Sequence, residues 1–557
     1  MLRGAGAWTF LTAGWMRRAH AQASQIQDKR VSSPIGFIEG ARAAGLDFIL
    51  RNGATGRKYQ VETLPGGLGV IDFDSDGWPD LFCTNGARLP DLAKSGPEYW
   101  NRLYKNNRDG TFSDVTAKAG LQGEGYAMGV AVGDYNNDGH EDLFVAGTHG
   151  NHLYRNNGNG TFTDVTHEAG LSGPGSMGRP VWSVAACWTD YDGDGHLDLL
   201  VSNYCDWAPG TDPICGGLEA QARTYCHPDK YRAESMQLYR NNGDGTFTEI
   251  TPKEGLPDLV GKGMGLAMAD FAGDGRPGIF IANDNARNLL LRNRGKGFEE
   301  IGIGAGVAFN GDGREISGMG TDFGDIDGDG QYDIVMTGLK NETYDVFLNQ
   351  GEGEFKDGST QTGLLGLSRK WSGWGCGLLD LDNDGWLDLF VAGGGLDTQD
   401  AQPNRVFKNN GGRFEDVSGE AGLEIAQAAL HRGAVFADFD HDGRLDVAVT
   451  ALNAPIELWW NRSAQGNAAH WLQLKLSGRK SNRSAIGAEV RCKTGGREQI
   501  RTVSSSVGYA SSSDLTVHFG LGEATKAAIE VRWPSGKVQT LTEVAMDQRL
   551  NVTEPGA

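Results

Sequence analysis

Short apolar runs separated by turn residues recur along most of this chain. In one stretch the strand-like runs are residues 129–132, 143–146, 153–156 and 162–165, and the segments between them are rich in Asp, Asn and Gly. Runs of this length, bounded by such segments, are typical of β-strands joined by tight turns. Four short strands in series predict one blade of a β-propeller.

A nine-residue acidic loop, D-x-D-x-D-G-x-x-D, shows how often this unit repeats. Its clearest copy is residues 325–333, and its first Asp recurs at Asp72, Asp134, Asp190, Asp270, Asp325, Asp380 and Asp438. Successive copies are separated by 55 to 62 residues, except for one interval of 80. Such a period marks a repeat architecture, so we predict seven blades. A Gly or Ala five residues before each first Asp suits an inner strand crowded around a central channel.

A second repeat predicts how the ring closes. A strand beginning at Phe, followed nine residues later by an apolar residue after Gly, starts at Phe112, Phe162, Phe247, Phe298, Phe355 and Phe414. The seventh copy is missing after Asp438 and is found near the other end of the chain, as Phe37 and Leu46. We therefore expect the N-terminal segment to supply the fourth strand of the last blade, which leaves no blade unpaired.

The repeat stops near His470, and three later segments alternate apolar and polar residues as half-buried strands do. The predicted fold is therefore all-β, with a seven-bladed β-propeller followed by a small β-sandwich. We expect a signal peptide or disordered leader at residues 1–34, the propeller at residues 35–465 with an insertion at about 205–234, and the β-sandwich domain at residues 466–557. Residues 463–467 are the expected linker between the two domains.

Composition narrows the possible partners. The chain of 557 residues carries a formal net charge of -21, which argues against a nucleic-acid surface. No run of about 18 apolar residues is present, so we expect no transmembrane helix. The first residues contain a weakly apolar run and Ala19-His20-Ala21, which has the form of a signal-peptidase site. We expect a secreted or periplasmic, envelope-associated protein, and a monomer.

The acidic loops have the chemistry of a site for a hard cation. Ca²⁺ takes six to eight oxygen ligands. Side chains at loop positions 1, 3, 5 and 9 can supply four, and the carbonyl at position 7 a fifth. The EF-hand shares part of this pattern but needs flanking helices, whereas strands flank these loops. The predicted ligands are Asp72, Asp74, Asp76, Trp78 and Asp80; Asp134, Asn136, Asp138, His140 and Asp142; Asp190, Asp192, Asp194, His196 and Asp198; Asp325, Asp327, Asp329, Gln331 and Asp333; Asp380, Asp382, Asp384, Trp386 and Asp388; and Asp438, Asp440, Asp442, Arg444 and Asp446.

The loops differ in completeness. Five carry Asp at all four side-chain positions, and the second has the neutral Asn136 at position 3, which should weaken binding. The fourth has Ala272 and Gly278 at two ligand positions, so we expect it to stay empty. About six calcium ions are therefore expected, and their main role is to fix the loops of the blades.

These features resemble known families. The acidic loop between strands, in seven copies, is similar to the FG-GAP/VCBS propeller of integrin α subunits, and residues 153–162 resemble the form in bacterial VCBS-repeat proteins. Near the C-terminus, residues 482–488, Gly508-Tyr509, residues 518–522 and residues 531–536 resemble the ASPIC/UnbV domain. The combination is that of the cartilage acidic protein family and its bacterial relatives. The resemblance implies an exported calcium-binding propeller and no particular reaction.

Two further groups of residues have more than one interpretation. Cys205, Cys215 and Cys226 lie in the insertion, where a disulfide, with Cys215 to Cys226 slightly favoured, competes with zinc or copper binding. Trp182, Trp371 and Trp374 precede the acidic loops and either pack in the core or form a binding platform at the mouth of the channel.

We therefore carry two hypotheses about function. In the first, the protein is a binding, adhesion or interaction module for a protein or polysaccharide ligand, with the insertion as the best guess for the ligand contact. In the second, it is an enzyme that uses the channel or the insertion as its active site. His518 has no nucleophile and carboxylate that spacing alone places beside it, so we name no catalytic residue.

Overall fold

Seven antiparallel sheets of four strands form a ring in the computed structural model, which describes residues 34–173, 178–217, 219, 222–251, 259–425, 428–463 and 469–556. The inner strand of each blade lies beside the inner strand of the next, and that of blade 7 lies beside that of blade 1. The chain is thus a closed seven-bladed β-propeller, as the repeat predicts.

Within each blade the strands run from the channel outwards in chain order, except in blade 7. Blades 1 to 3 comprise Leu68–Ile71, Asp80–Cys83, Arg102–Asn106 and Phe112–Asp114; Tyr126–Gly133, Asp142–Thr148, His152–Asn156 and Phe162–Asp164; and Ser183–Thr189, Asp198–Asn203, Gln237–Asn241 and Phe247–Glu249. Blades 4 to 6 comprise Gly263–Ala269, Gly278–Asn283, Leu289–Asn293 and Phe298–Glu300; Thr321–Gly324, Asp333–Met336, Asp345–Asn349 and Phe355–Asp357; and Gly373–Leu379, Asp388–Gly393, Arg405–Asn409 and Phe414–Asp416.

Blade 7 confirms the predicted closure. Its first three strands are His431–Ala437, Asp446–Ala451 and Glu457–Asn461, and its outer strand is the N-terminal Phe37–Glu39. In this pairing Phe37 lies opposite Asn461 and Glu39 opposite Trp459. The two ends of the propeller are therefore joined by a β-ladder, which ties the ring shut.

The inner strands approach one another as closely as their small residues allow. A Cβ added to Gly129 would lie 2.2 Å from the carbonyl oxygen of Val184 in the next blade, and one added to Gly320 would lie 2.1 Å from that of Trp374. Any larger side chain at these positions would push two blades apart.

Helices are short, and the α-helices follow the outer strand of a blade. The α-helices in the described residues are Thr116–Ala119, Gly302–Ala305 and Leu364–Ser368. The 3-10 helices in the same residues are Gln60–Thr63, Pro97–Tyr99, Pro228–Lys230, Thr398–Asp400 and Leu423–Ile425. No helix in these ranges is long and apolar enough to cross a membrane.

The C-terminal residues 469–556, here called the C-terminal module, form the expected two-sheet sandwich. One sheet has the strand order Val517–Gly522, His470–Ser477 and Gln548–Thr553, and the other Arg497–Thr502, Glu489–Thr494, Lys526–Arg532 and Val538–Ala545. Its core, which includes Leu474, Val490 and Trp533, continues into that of blade 3 at Trp188. The expected leader and most of the expected linker lie outside the described residues.

One loop of the C-terminal module, residues 503–516, fills the central channel and is here called the plug. Backbone hydrogen bonds join Ser512 to Leu68 and Val70 in blade 1, and Gly508 to Thr321 in blade 5. A Cβ on Gly508, whose φ is +68°, would lie 2.5 Å from the carbonyl oxygen of Cys376 in blade 6, so glycine is needed here.

The remaining blades also contact the plug. The backbone N–H of Trp188 in blade 3 donates to Ser505 Oγ, and Ser506 Oγ donates to the carbonyl of Leu266 in blade 4. In blade 2, Val130 N donates to the carbonyl of Ala510 in the plug. In blade 7, Phe436 N donates to Ser513 Oγ, and the Phe436 carbonyl accepts from Asp514 N. The plug therefore forms hydrogen bonds with the inner strands of blades 1, 2, 3, 4, 5 and 7, and its Gly508 closely approaches that of blade 6.

The opposite mouth of the channel is covered by the insertion of blade 3. Its Tyr225 hydroxyl donates to the buried Glu62 carboxylate at 3.1 Å, and Arg57 donates to the carbonyl of Asp212 at 2.9 Å. A disulfide joins Cys215 to Cys226, as favoured from the sequence, and Cys205 is a buried free thiol. The insertion is thus attached to the segment that precedes blade 1.

Between these two covers, the channel contains packed side chains. Trp182, Trp374 and Tyr509 are all fully buried in one cluster, and the Trp374 and Tyr509 rings meet edge to face with centroids 5.1 Å apart. For Trp182 and Trp374, core packing is therefore correct, and the platform at the mouth is wrong. Trp371 is half-buried, with the Arg405 guanidinium 4.3 Å from the centre of its ring.

Candidate metal centres

Each acidic loop, numbered here by its blade, joins the inner strand to the second strand. The carboxylate at position 1 folds the loop by accepting hydrogen bonds from backbone N–H groups at positions 5 and 6. In loop 5, Asp325 accepts from Asp329 N and Gly330 N, each at 3.0 Å. The carboxylate at position 5 accepts in turn from position 7, as Asp329 does from Gln331 N at 2.9 Å. The acidic residues therefore converge on a single turn.

Two backbone positions in each loop require positive φ. Position 6 is glycine in every copy, with φ between 81° and 93°. Position 4 is also left-handed, and is occupied by Ser75, Asn137, Gly193, Gly273, Gly328, Asn383 and His441. Gly and Asn adopt this conformation at least cost, which explains their frequency here.

Position 9 connects the loop to its own blade. In loop 5, Asp333 Oδ2 accepts from Ile326 N and its Oδ1 accepts from Asn349 N, both at 2.9 Å. Asn349 belongs to a repeated Asn at the end of the third strand. Its amide donates to the carbonyls of Tyr332 in its own loop and of Phe271 in the loop of the preceding blade.

The sequence interpretation missed this role for the Asn, although the signal was present. The residue recurs as Asn106, Asn156, Asn241, Asn293, Asn349, Asn409 and Asn461, and all are buried. Asn106, in blade 1, donates to Phe439 O in loop 7 and so bridges the closing junction. The amides of six of them donate to a carbonyl in the loop of the preceding blade: Asn106, Asn156, Asn241, Asn349, Asn409 and Asn461.

Five loops bring three carboxylates together so that one oxygen of each lies within 4.8 Å of the others. The sets are Asp72, Asp74 and Asp80; Asp190, Asp192 and Asp194; Asp325, Asp327 and Asp333; Asp380, Asp382 and Asp388; and Asp438, Asp440 and Asp446. These are the five loops with Asp at all four ligand positions.

Unpaired oxygens show that these sets fit a cation. The Oδ1 atom at position 3 is buried without a hydrogen-bond partner in Asp74, Asp192, Asp327, Asp382 and Asp440. Asp190 and Asp380, at position 1, also have such an atom. A buried carboxylate oxygen without a partner is costly, and a bound cation would provide the missing interaction. The donor set is all oxygen, which suits calcium rather than zinc or copper.

Burial also perturbs the protonation of these groups. Burial, together with the carboxylate at position 5, raises the pKa values of Asp190, Asp380 and Asp438 to about 7. Burial raises those of Asp80 and Asp333, at position 9, to about 8. The charged forms are therefore disfavoured without a counter-charge.

A basic side chain from the third strand or just after it partly supplies this charge in four complete loops. Lys105 contacts Asp74 and Asp76, Arg240 contacts Asp192, Lys408 contacts Asp382 at 2.5 Å, and Arg462 contacts Asp440 at 2.7 Å. In blade 5 the corresponding residue is Leu348. Loop 5 thus has no ion pair at its four Asp residues within the ranges described, and its charge is the least compensated.

Loops 2 and 4 differ from the complete copies. In loop 2, Asn136 Nδ2 donates to Asp138 Oδ2 at 2.9 Å, so a neutral amide is the partner of the carboxylate at position 5. In loop 4, Asp274 pairs with Arg292 at 3.3 Å, and Arg532 of the C-terminal module lies 3.9 Å from Asp270. Arginines therefore neutralise the two remaining carboxylates of loop 4.

The side chains at position 7 contact a neighbouring loop, the C-terminal module or their own blade, and they share no common chemistry. Trp78 stacks on His441 of loop 7 at 3.9 Å, and His140 Nδ1 lies 3.3 Å from Ser75 Oγ of loop 1. Trp386 stacks under Arg497, and Arg444 donates to the carbonyl of Asn461. A role for the carbonyl at this position stays a prediction.

Comparison with protein families follows the same divisions of the chain. A family model for FG-GAP-like repeats matches residues 72–145, 134–201, 228–281, 270–336, 325–391 and 380–449. Five of these six matches begin at the first Asp of a loop. A second family model, named ASPIC and UnbV, matches residues 478–557, which include most of the C-terminal module.

Individual relatives are more distant. Cartilage acidic protein 1 of Homo sapiens is 26% identical over 494 residues, which cover 85% of this chain and 69% of that protein. The Mus musculus protein of the same name is 26% identical over 514 residues, covering 88% and 73%. Among solved structures, an Agrocybe aegerita lectin is 18% identical with a TM-score of 0.36, covering 70% of this chain and 87% of that one. BBS1N, solved in complex with ARL6DN, is 9% identical with a TM-score of 0.40, covering 74% and 93%.

Proposed function

This chain belongs to the family of FG-GAP-like repeat proteins, and we propose that it is an exported interaction module whose loops bind calcium. The observation that carries the calcium proposal is the unpaired, buried Oδ1 atom at position 3 in every complete loop. Asp at positions 1, 3, 5 and 9 would hold the ion, which would supply the positive charge that folds four carboxylates into one turn.

The proposal assigns five ions to loops 1, 3, 5, 6 and 7. Loop 2 would bind a sixth more weakly, because Asn136 offers a neutral oxygen and its amide competes for Asp138. Loop 4 would bind none, because arginines already serve its carboxylates. The ions would act on structure, since the loops are packed beneath the C-terminal module.

Export is supported by two features of the chain. Loops of this kind suit the millimolar calcium found outside cells. The Cys215–Cys226 disulfide suits an oxidising compartment, where such bonds persist.

Calcium titration of the chelated protein tests the metal proposal. A ligand of the folded state raises the free energy of unfolding by about 2.7 kcal/mol per site at a hundredfold excess over its Kd. We expect the midpoint of thermal unfolding to rise steadily with calcium and to fall again on chelation. A midpoint that does not move would refute calcium binding.

We place the partner site, for a protein or polysaccharide, on the insertion side of the ring. The C-terminal module covers the face of the ring that carries the acidic loops. The plug and the insertion leave little room for a reactant in the channel, which weakens the alternative of an active site there. The insertion presents polar side chains to solvent, among them Arg232, whose side chain is 71% exposed, and Asp229.

A pair of charge reversals tests this placement. Material from the native envelope would be captured on immobilised wild-type protein, on Arg232→Glu and on Lys493→Glu, a matched reversal on the C-terminal module. We expect Arg232→Glu to lose the captured partner and Lys493→Glu to retain it. Equal capture by both variants would move the site off the insertion.

A further inference from the structure

The C-terminal module forms hydrogen bonds with the residue at position 4 of three acidic loops. In loop 6, Asn383 Oδ1 accepts from His518 Nε2 at 2.7 Å, and the Asn383 carbonyl accepts from Gly522 N. In loop 2, Asn137 Oδ1 accepts from the backbone of Arg483 at 2.7 Å. Position 4 thus faces the module, while positions 3 and 5 on either side carry the proposed metal ligands.

The third such contact is in loop 7, where His441 Nε2 accepts from Arg549 Nη1 at 2.7 Å. The same guanidinium donates from Nη2 to Thr516 Oγ1 at 2.9 Å, at the end of the plug. His518, which meets Asn383, lies two residues beyond Thr516. Two of the three contacts therefore reach the plug or the strand directly after it.

Each of these side chains also binds the next loop along the ring. Asn137 Nδ2 donates to Gly195 O of loop 3 at 2.9 Å, and Asn383 Nδ2 donates to Gly443 O of loop 7 at 3.0 Å. The His441 ring stacks on Trp78 of loop 1. A single side chain therefore joins its own loop, its neighbour and the module.

We propose that the fourth positions of loops 2, 6 and 7 couple metal binding in the loops to the seating of the C-terminal module and of its plug. The inference rests on the proposed function, because it takes calcium as the occupant of the loops. In loops 6 and 7 the carboxylates on both sides of position 4 repel one another without the ion, a repulsion that Lys408 and Arg462 offset only in part. In loop 2 the two neighbours are the amide Asn136 and the carboxylate Asp138. Any rearrangement of these ligands on loss of the ion displaces the side chain between them. The plug would then lose its support from the loop side while its own residues stay unchanged.

Hydrogen exchange of the full chain, measured peptide by peptide with mass spectrometry, tests the coupling. In calcium, the amides of residues 503–516 should be protected by their bonds to the inner strands. On chelation we expect these amides to exchange at least tenfold faster, together with those of the loops, because local opening governs exchange. The outer strands of the blades should change far less.

A matched pair of variants separates the coupling from metal binding. Asn383→Gly removes the side chain but keeps the positive φ, and loops 3, 4 and 5 already have glycine at this position. Ser75→Gly makes the same change in loop 1, where position 4 contacts His140 and no residue of the described module. In saturating calcium, Asn383→Gly should increase the exchange rate of the plug amides about fivefold, because that ratio corresponds to the usual net free energy of one hydrogen bond. Ser75→Gly should leave it unchanged, and Asn137→Gly provides a second measurement.

The outcomes distinguish the two ideas. If chelation accelerates exchange in the loops but not in the plug, the coupling is refuted and calcium binding stands. If dialysed protein binds no calcium, both proposals fail. A plug in Asn383→Gly and Asn137→Gly that is as protected as in Ser75→Gly would also refute the coupling.

Discussion

At the scale of single residues, position 3 and the Asn at the end of the third strand have different roles in an acidic loop. Asp327 Oδ1 is buried without a partner, whereas the Asn349 amide satisfies two carbonyls and bridges two blades. The motif in the sequence was enough to predict a ligand role for position 3, because its spacing is that of a ligand set. The role of the Asn could not be identified in this way, since its partners are carbonyls that any residue could present.

Asp327→Asn tests the role of position 3 in the loop whose Asp residues form no ion pair within the described part of the chain. We expect the variant to bind one calcium ion fewer than wild type and to unfold at a lower temperature in saturating calcium. In chelator the difference in unfolding temperature between the variant and wild type should vanish or reverse, because the substitution removes one of several repelling charges. Calcium analysis after dialysis and thermal unfolding would measure both effects, with Asp109→Asn in an exposed turn as the control.

Asn349→Ala tests the bridge between blades. The substitution leaves the carbonyls of Phe271 and Tyr332 buried without a donor, so we expect a loss of roughly 3 kcal/mol in the free energy of unfolding. Asn107→Ala, in an exposed turn, should change it by less than about 0.5 kcal/mol. Denaturant titration would show whether the two variants differ; similar values would mean that the bridge is dispensable.

At the scale of elements, the strands and the closure were predictable because each follows from a repeat. Phe37 was identified as the missing outer strand from its match to six other copies, and the pairing of Phe37 with Asn461 confirms it. Contacts that only one blade makes were not predictable. The buried contact between His431 and Glu457, both in blade 7, stands at positions where the other blades carry no corresponding pair.

That pair predicts a pH dependence of stability. Glu457 raises the pKa of the buried His431 against the effect of burial and of Arg432, while His431 holds the pKa of Glu457 below its usual value. Because the His pKa is higher in the folded protein, its contribution is complete below the unfolded pKa of about 6.5 and is lost as pH rises through the folded value.

We therefore expect the stability advantage of wild type over Glu457→Gln to be larger at pH 5.5 than at pH 8.5. A tenfold change in proton affinity corresponds to about 1.4 kcal/mol, which sets the scale of the difference. Denaturant titrations at both pH values in saturating calcium would measure it. An advantage that does not change with pH would show that the pair is not charged in the folded protein.

At the scale of the whole molecule, the chain closes its own channel. Residues 503–516 contact all seven inner strands, and the insertion of blade 3 covers the other mouth. The sequence indicated two domains in series but not their packing, because the plug is rich in Ser and has no apolar period. Its partners are backbone groups that become available only when the ring is complete.

Tyr509, at the centre of the plug, tests this packing. Its ring is fully buried against Trp374, and its hydroxyl donates to the carbonyl of Leu64 at 2.6 Å. We expect Tyr509→Phe to cost about 1 kcal/mol and Tyr509→Ala about 4 kcal/mol in the free energy of unfolding. Propeller and module should still unfold in one transition, because they share this core. An unchanged stability of Tyr509→Ala would contradict the packing.

The central claim is that the complete acidic loops hold calcium, and counting ions tests it most directly. The full chain would be stripped with chelator, dialysed against graded calcium in excess magnesium, and analysed for bound metal per chain. The account predicts five calcium ions bound in preference to magnesium, which demands a more rigid octahedral site, and a sixth only at higher concentration. A folded chain that binds no calcium under these conditions would contradict the account.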